Sequence, residues 1–394
     1  MFANLPVPAE DKILGLMRRF REDPRDNKMD LSVGVYADEK GQTIILDVVK
    51  EAEKRLLAKQ TTKTYVGLAG DPTFNRAMQE IVFGEGSSEQ LIRGVQAPGG
   101  SGSLRLIAEL LGRHRPDSHI WLSTPTWPNH QALLNTAEMP VSHYPYFDPE
   151  TKSVDFAAMK ATLSQLGPND VVILHGCCHN PTGANLTKAQ WDEVAQIAHD
   201  TGFFPFVDLA YQGFGDNLGE DAYGTRKLAD TVAEMAVAVS CSKNFGIYRE
   251  RVGCALIKAG SEQDADVTFK QLQSIGRSIY SMPPDHGAAV VSIIWHDPEL
   301  RQRWFDELNA ITARMLNLRQ SLADNLRAKL GTDQFDFLAE HRGMFSLLGI
   351  TAEQVEALRE KHGIYIVGDG RMNIAGLQEE RVEEFAAALA DVIS

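Results

Sequence analysis

Short apolar runs recur between residues 119 and 257, and each stops at a cluster of small, polar or proline residues. They are His119-Ile120-Trp121-Leu122, Val171-Val172-Ile173-Leu174, Phe203-Phe204-Pro205-Phe206-Val207, Met235-Ala236-Val237-Ala238-Val239 and Cys254-Ala255-Leu256-Ile257. Apolar runs without polar alternation read as strands buried on both faces. Helical patterns lie between them; Thr187 with Gln190 forms a capping box ahead of a helix bearing Trp191, Val194, Ala195 and Ala198. Strand, loop and helix in repeated order predict an α/β fold with a mostly parallel, doubly wound sheet, and the loops after its strands share one crevice.

The chain ends read differently. Residues 1–10 lack periodicity and are expected to form an arm. Asp11 to Phe20 carries Ile13, Leu14, Leu16, Met17 and Phe20 at helical spacing, Leu31 to Tyr36 reads as a short strand, and Asp47 to Leu57 as an amphipathic helix. Beyond residue 290 a long helix is expected from Pro298 to about Arg327, followed by short strands at Phe345-Ser346 and Ile364-Tyr365-Ile366-Val367 and terminal helices. At 394 residues the chain exceeds one ordinary core. The expected division is a large domain over 44–310 and a smaller α/β domain built from both ends, 11–43 and 311–394.

A net charge of -14 argues against a general affinity for nucleic acid or an anionic membrane, so an anionic ligand must be held by local arginines. No apolar run is long enough to span a bilayer, and the N-terminus lacks a basic region followed by an apolar one. Four cysteines, two of them adjacent, make no disulfide framework. These features predict an unprocessed cytoplasmic protein.

The chemistry gathers after the strands. Lys243 follows the run 235–239 within Ser240-Cys241-Ser242-Lys243-Asn244-Phe245-Gly246. A lysine where a buried strand stops loses hydration, and its neutral amine can form a Schiff base with an aldehyde. Ser240, Ser242 and Arg251 offer hydroxyls and a positive fork suited to phosphate. In Gln96-Ala97-Pro98-Gly99-Gly100-Ser101-Gly102-Ser103, glycines precede a helix whose free N–H groups would cradle an anion. Trp127, between prolines, reads as core filler or as a ring that stacks on a flat ligand. Asp208, at the end of its strand, reads as a helix cap or a ligand-facing carboxylate, with Tyr211 just past it. The cluster His175-Gly176-Cys177-Cys178-His179 has cysteines and histidines but not the spacing of a tetrahedral zinc site, so no metal is expected. Arg277 and Arg371 stand among small residues that would leave room for bidentate capture of a carboxylate.

With these residues in order, the chain resembles the fold-type I pyridoxal-phosphate enzymes, and among them the class I aspartate and aromatic amino-acid aminotransferases. The motifs that carry the resemblance include Val33-Gly34-Val35-Tyr36, Pro98-Gly99-Gly100-Ser101-Gly102, Trp127-Pro128-Asn129-His130, His179-Asn180-Pro181-Thr182-Gly183, Asp208-Leu209-Ala210-Tyr211, Ser242-Lys243-Asn244-Phe245 and Gly370-Arg371. The resemblance implies pyridoxal 5'-phosphate bound through Lys243, with Asp208 on the pyridine nitrogen and Tyr211 and Asn180 on the phenolic oxygen. It implies Trp127 against the ring, and Gly100, Ser101, Ser240, Ser242 and Arg251 on the phosphate. His130 and His175 would support Asp208. It further implies that Arg371 clamps the substrate α-carboxylate beside Gly34. In the implied homodimer, Tyr65 and Arg277 arrive from the neighbouring subunit, and Arg277 meets the second carboxylate of acidic substrates.

Departures from the aspartate-specific pattern at Ala37, Thr64, Ser101 and Met282 remove polar groups or bulk, which would ease desolvation of an aromatic ring. The expectation is transamination of aromatic and acidic amino acids with 2-oxoglutarate by a ping-pong mechanism. The alternative is an aspartate-specific aminotransferase. A ligand-binding regulator would need a DNA-binding helix pair ahead of Asp11, and a nicotinamide oxidoreductase the dinucleotide fingerprint; neither pattern is present.

Overall fold

The computed structural model of the chain describes residues 2, 5, 12–87, 90–135 and 138–394. The expected arm over 1–10 therefore lies outside the described residues except for 2 and 5. Seven strands form the main sheet. Across it they run Ile92–Pro98, Val252–Lys258, Met235–Ser240, Phe204–Leu209, Asp170–His175, His119–Thr124 and Val141–Pro145. The last five pair in parallel, while Val252–Lys258 is antiparallel to both its neighbours.

The unbroken apolar runs are explained by helices on both faces. Val172, Leu174, Val207 and Val237 enter one core, while Val171, Ile173, Phe206 and Ala236 enter the core on the opposite face. Successive residues point to opposite faces, so both sets must be apolar. Chain order reverses beside His119–Thr124, where Val141–Pro145 is added on one side and Asp170–His175 on the other. Such a switch point opens a crevice at the carboxyl ends of the strands.

The chain ends build a separate hydrophobic cluster that joins Met29 and Leu31 to Leu318, Leu322, Leu358, Ile364 and Phe385. The strand expected over 31–36 is not formed. Only Met29–Asp30 pairs, with Ile364–Tyr365, which also shortens the strand expected over 364–367. Past Leu31, Val33 and Val35 turn their carbonyls to the Asn373 side-chain amide, at 2.6 and 2.8 Å, and a side chain takes the place of a ladder partner. The glycines at 99–102 do not precede a helix. The strand Ile92–Pro98 runs into them, and they form the first turn of the helix Gly99–His114.

The helix Pro298–Leu330 connects the cores. Asp297 caps it by accepting from Glu299 and Leu300 N–H, Pro298 starts it, and Gly331 ends it in the left-handed conformation. Near its start Trp304, fully buried, stacks on Phe245 at 4.2 Å and donates its indole N–H to the Asn244 carbonyl at 2.8 Å. Further along, the fully buried Arg319 donates to the carbonyls of Leu338, Gly343 and Phe345 and to Ser346 Oγ. Among the described residues no helix is long and apolar enough to cross a membrane.

Trp304→Ala removes a large buried ring and is expected to cost about 3–5 kcal/mol of stability. Chemical denaturation followed by fluorescence measures it. A cost below about 1 kcal/mol would show that the ring does not hold the segment after Lys243.

Candidate active site

A cleft of ≈ 240 Å³ lies at the carboxyl ends of the parallel strands, and its walls include Gly34, Gly100, Ser101, Trp127, His175, Asn180, Asp208, Tyr211, Ser240, Ser242, Lys243, Arg251 and Arg371. Of the residues expected from sequence, His130 lies directly behind Asp208, and Tyr65 and Arg277 are not on this wall. Both are exposed, Tyr65 at 88%. Of the four departures from the aspartate-specific pattern, only Ser101 lines the cleft. Ala37 is buried beneath Arg314, which donates to its carbonyl, and Thr64 is exposed.

Lys243 reaches the cleft from the turn after Met235–Ser240, its Nζ 4.8 Å from the centre of the Tyr211 ring. Burial lowers its amine to about 8; the Asp208 charge opposes this and the Arg251 charge adds to it. About a tenth of the amine is thus neutral and nucleophilic at pH 7, far more than for an exposed lysine.

Asp208 lies within the strand Phe204–Leu209 rather than past its end, in register with His175 of the next strand. Burial alone would raise its carboxyl. The hydrogen bond from His130, 2.8 Å away, together with the two imidazoles and the Lys243 charge nearby, outweighs burial and holds it below its ordinary value. The proton positions along the supporting chain follow from one fixed donor. Asn180 N–H can only donate, so His175 Nδ1 accepts, at 3.4 Å. Burial keeps His175 far below its usual range and hence neutral, which leaves its hydrogen on Nε2, facing Thr126 Oγ1 at 3.1 Å. The single Thr126 hydroxyl hydrogen then goes to His130 Nδ1, at 2.8 Å, and the His130 hydrogen must sit on Nε2 against Asp208. Thr126 carried no signal in the sequence, since a hydroxyl between prolines reads as loop.

The opposite wall is cationic. Arg371 is 5% exposed and stacks on the Phe345 ring at 4.5 Å. It donates to Asn180 Oδ1 at 3.2 Å and, at 3.5 Å, to the Ser32 carbonyl, and its Nε has no hydrogen-bond partner. Among the described residues no carboxylate pairs with it. A buried guanidinium left like this is complementary to a planar anion entering the cleft. Asn180 also donates to Tyr211 Oη at 3.4 Å, while burial and the Asp208 charge push the phenol up.

At the third wall Arg251 adopts a φ of 55°, rare for a residue with a side chain, and donates to Ser242 Oγ at 3.2 Å. Gly99 and Gly100 bring the helix start against it. A Cβ at Gly99 would fall 2.5 Å from the Arg251 guanidinium, and one at Gly100 would fall 3.0 Å from Ser240 Cβ. Free N–H groups, two hydroxyls and a guanidinium together are complementary to a dianion such as a phosphate.

The His175–His179 cluster does not form the zinc set weighed from sequence. His179 is held by the hydroxyls of Ser123 and Thr182, at 3.0 and 2.9 Å. Cys177, Cys178 and Asp221 do lie within 4.8 Å of one another. The Asp221 oxygens, however, accept the N–H groups of Gly213, Gly215 and Asp216 and thereby fix the turn after Tyr211. Phe345, which the family resemblance places among the residues drawn over the site, lines the cleft; Tyr248 and Ile13 line it too and carried no functional signal, because each reads as an ordinary core residue.

A buried lysine, a carboxylate held ionised, a cluster of N–H and hydroxyl donors beside an arginine, and a second arginine without a carboxylate partner at one sheet edge suit the capture of a phosphorylated aldehyde through an amine. Residues 26–389 match the family described as aminotransferase class I and II, and the chain belongs to that family. It is 50% identical over 392 residues, covering 100% of both chains, to the aromatic-amino-acid aminotransferase of Paracoccus denitrificans. It is 42% identical over 396 residues, again covering 100% of both, to the aspartate aminotransferase of Escherichia coli (strain K12). Among solved structures, an aromatic amino acid aminotransferase with 3-indolebutyric acid superimposes with a TM-score of 0.97 at 50% identity and 100% coverage of both chains. An aromatic-amino-acid aminotransferase from Burkholderia pseudomallei, covalently bound to pyridoxal phosphate, does so at 0.97 with 37% identity and 100% coverage of both chains.

Because the neutral amine reacts, capture of a small aldehyde at Lys243, trapped with borohydride, is expected to rise with pH with a midpoint at about 8 and to level off above it. Asp208→Asn removes a charge that raises the amine and is expected to move the midpoint down. A flat profile, or a midpoint near 10.4 as for a free lysine, would contradict this reading of Lys243.

Proposed function

We propose that this aminotransferase binds pyridoxal 5'-phosphate through Lys243 and transaminates both aromatic and acidic amino acids, with 2-oxoglutarate as amino acceptor in a ping-pong reaction. The observation that carries the reading is the placement of Lys243, Asp208 and the unpaired Arg371 around one cleft. The donor set fits the cofactor at each end: an ionised carboxylate for a pyridinium nitrogen, and the Gly100, Ser101, Ser240, Ser242 and Arg251 cradle for its phosphate. When bound, pyridoxal phosphate supplies an aldehyde for amines and an electron-withdrawing ring.

The chain's own residues do the rest. Asp208, hydrogen-bonded by His130 and held below its ordinary value, would keep a proton on the ring nitrogen of the bound cofactor. Tyr211 and Asn180 offer hydrogen bonds to the phenolic oxygen, and Trp127 offers a flat face. Arg371 fixes the α-carboxylate, which brings the substrate Cα within reach of Lys243. The neutral Lys243 amine would serve as the base for the Cα proton, and the ammonium so formed would be the acid that returns a proton to the substrate-derived carbon framework. Both half-reactions use the one site, because amino and oxo acids share the carboxylate that Arg371 reads.

The chain is proposed to act as a cytoplasmic homodimer, in which Tyr65 and Arg277 complete the neighbouring site. The exposure of Tyr65, Val66 and Ile279 on one protomer supports such an interface. The separate core of the chain ends supports residues 11–43 and 311–394 as a body that closes on 44–310. The similarity to aspartate aminotransferases keeps an aspartate-specific enzyme as the second reading.

Steady-state kcat/KM for phenylalanine and aspartate separates the two readings. Comparable values support the broad one, and a preference for aspartate of thousands-fold overturns it. Arg371→Leu is expected to lower kcat/KM by about 10- to 100-fold or more for every amino acid. Arg277→Ala is expected to affect aspartate and glutamate while leaving phenylalanine within a few-fold. Equal losses for all substrates would remove the assigned role of Arg277.

A further inference from the structure

The segment 33–38 carries Gly34 into the cleft, and its hydrogen bonds run to two parts of the molecule. Asn373, on the same strand as Arg371, donates its amide to the carbonyls of Val33 and Val35. Ala37 N–H donates to Ala375, and Arg314 donates to the Ala37 carbonyl. All of these partners belong to the C-terminal elements and the long helix. The remaining anchor crosses the cleft: Tyr36 N–H donates to Tyr248 Oη at 3.0 Å.

Tyr248 lies five residues after Lys243, in the same turn, and its carbonyl accepts from Arg251 at 3.0 Å. Its ring lines the cleft. Burial pushes its phenol up to about 12, so the hydroxyl stays neutral and the contact does not titrate across the working range. Gly34 is thus suspended between the strand of Arg371 and the turn of Lys243. It also sits hard against Phe345, since a Cβ on Gly34 would lie 2.9 Å from Phe345 Cζ. Phe345 is the ring on which Arg371 stacks. A displacement of Gly34 therefore reaches the arginine through a single packed ring.

We propose that Tyr248 is a positioning residue whose hydroxyl tethers the Gly34 segment to the Lys243 turn and thereby sets how tightly Phe345 and Arg371 hold the substrate carboxylate. This rests on the assignment of Arg371 as the carboxylate site. Tyr248 has no part in the proton transfer itself.

The test is Tyr248→Phe in the holoenzyme, a change of one oxygen that leaves the packing intact. Hydrogen–deuterium exchange resolves the Tyr36 amide, and its exchange is expected to speed up by several-fold or more, because its acceptor is gone. KM for phenylalanine and aspartate, and Kd for the unreactive carboxylate 3-phenylpropionate, are expected to rise together by roughly five- to ten-fold, as for loss of one hydrogen bond. The pH midpoint of the bound cofactor's absorption is expected to stay in place, since Lys243 is untouched. Unaltered exchange at Tyr36 overturns the tether, and faster exchange with unaltered KM and Kd overturns its effect on substrate. A shifted absorption midpoint would move Tyr248 into the cofactor's own surroundings and overturn the proposal. If the unsubstituted enzyme binds no 3-phenylpropionate, the carboxylate site itself is wrong, and the exchange rate at Tyr36 still decides the tether.

Discussion

A carboxylate buried at the end of a strand is costly unless hydrogen bonds hold its charge. Asp208 is held by His130, and His130 is oriented by Thr126, His175 and the Asn180 backbone in turn. The rest of the cleft depends on this chain. It fixes one strand end, the turn after Asp170–His175 and the proline-rich loop after His119–Thr124 as one unit. It also keeps a negative charge facing the Lys243 amine. That charge moderates the fall in the lysine's proton affinity, so burial and Asp208 jointly set its basicity.

The cationic groups follow the opposite rule. The protein carries a net charge of -14, yet Arg371, Arg319 and Arg314 are all buried. Arg319 and Arg314 spend their terminal NH2 groups mostly on backbone carbonyls, where they tie irregular segments to the long helix, although the Nε of each, like that of Arg371, has no hydrogen-bond partner. Arg371 spends only part of its capacity in this way and keeps the remainder for the cleft. The difference between a structural and a ligand-binding arginine is therefore how many donors are left over, a property set by surroundings rather than by sequence neighbours.

Much of the fold was legible because the sheet is covered on both faces. Runs such as Val171–Leu174 and Met235–Val239 must then be apolar at every position, and that pattern survives in one dimension. The grouping of Gly100, Trp127, Asn180, Asp208, Tyr211 and Lys243 followed from topology, since all come from the carboxyl edge. What failed was local hydrogen bonding. Leu31–Tyr36 has strand composition, but Asn373, more than 330 residues away, takes the carbonyls that a neighbouring strand would need. The glycines at 99–102 looked like a loop because their helical geometry is imposed by the strand before them and Arg251 beside them. Thr126 and Tyr248 were invisible for a related reason: each acts through one hydroxyl whose partner is distant in the chain.

The helix Pro298–Leu330 has its first turns in the core beneath the sheet and its last turns in the cluster built from the chain ends. At 1.5 Å per residue it is a rod of about 50 Å. A bend of about 5° midway would carry its far end through about 2 Å, comparable to a rotamer change in a cleft side chain. Mechanically it is a cantilever, clamped where Trp304 stacks on Phe245 and loaded where Arg319 grips the segment that ends in Phe345. Flexure of this one element would displace the segment that ends in Phe345 relative to the Lys243 turn without any sliding between the two cores.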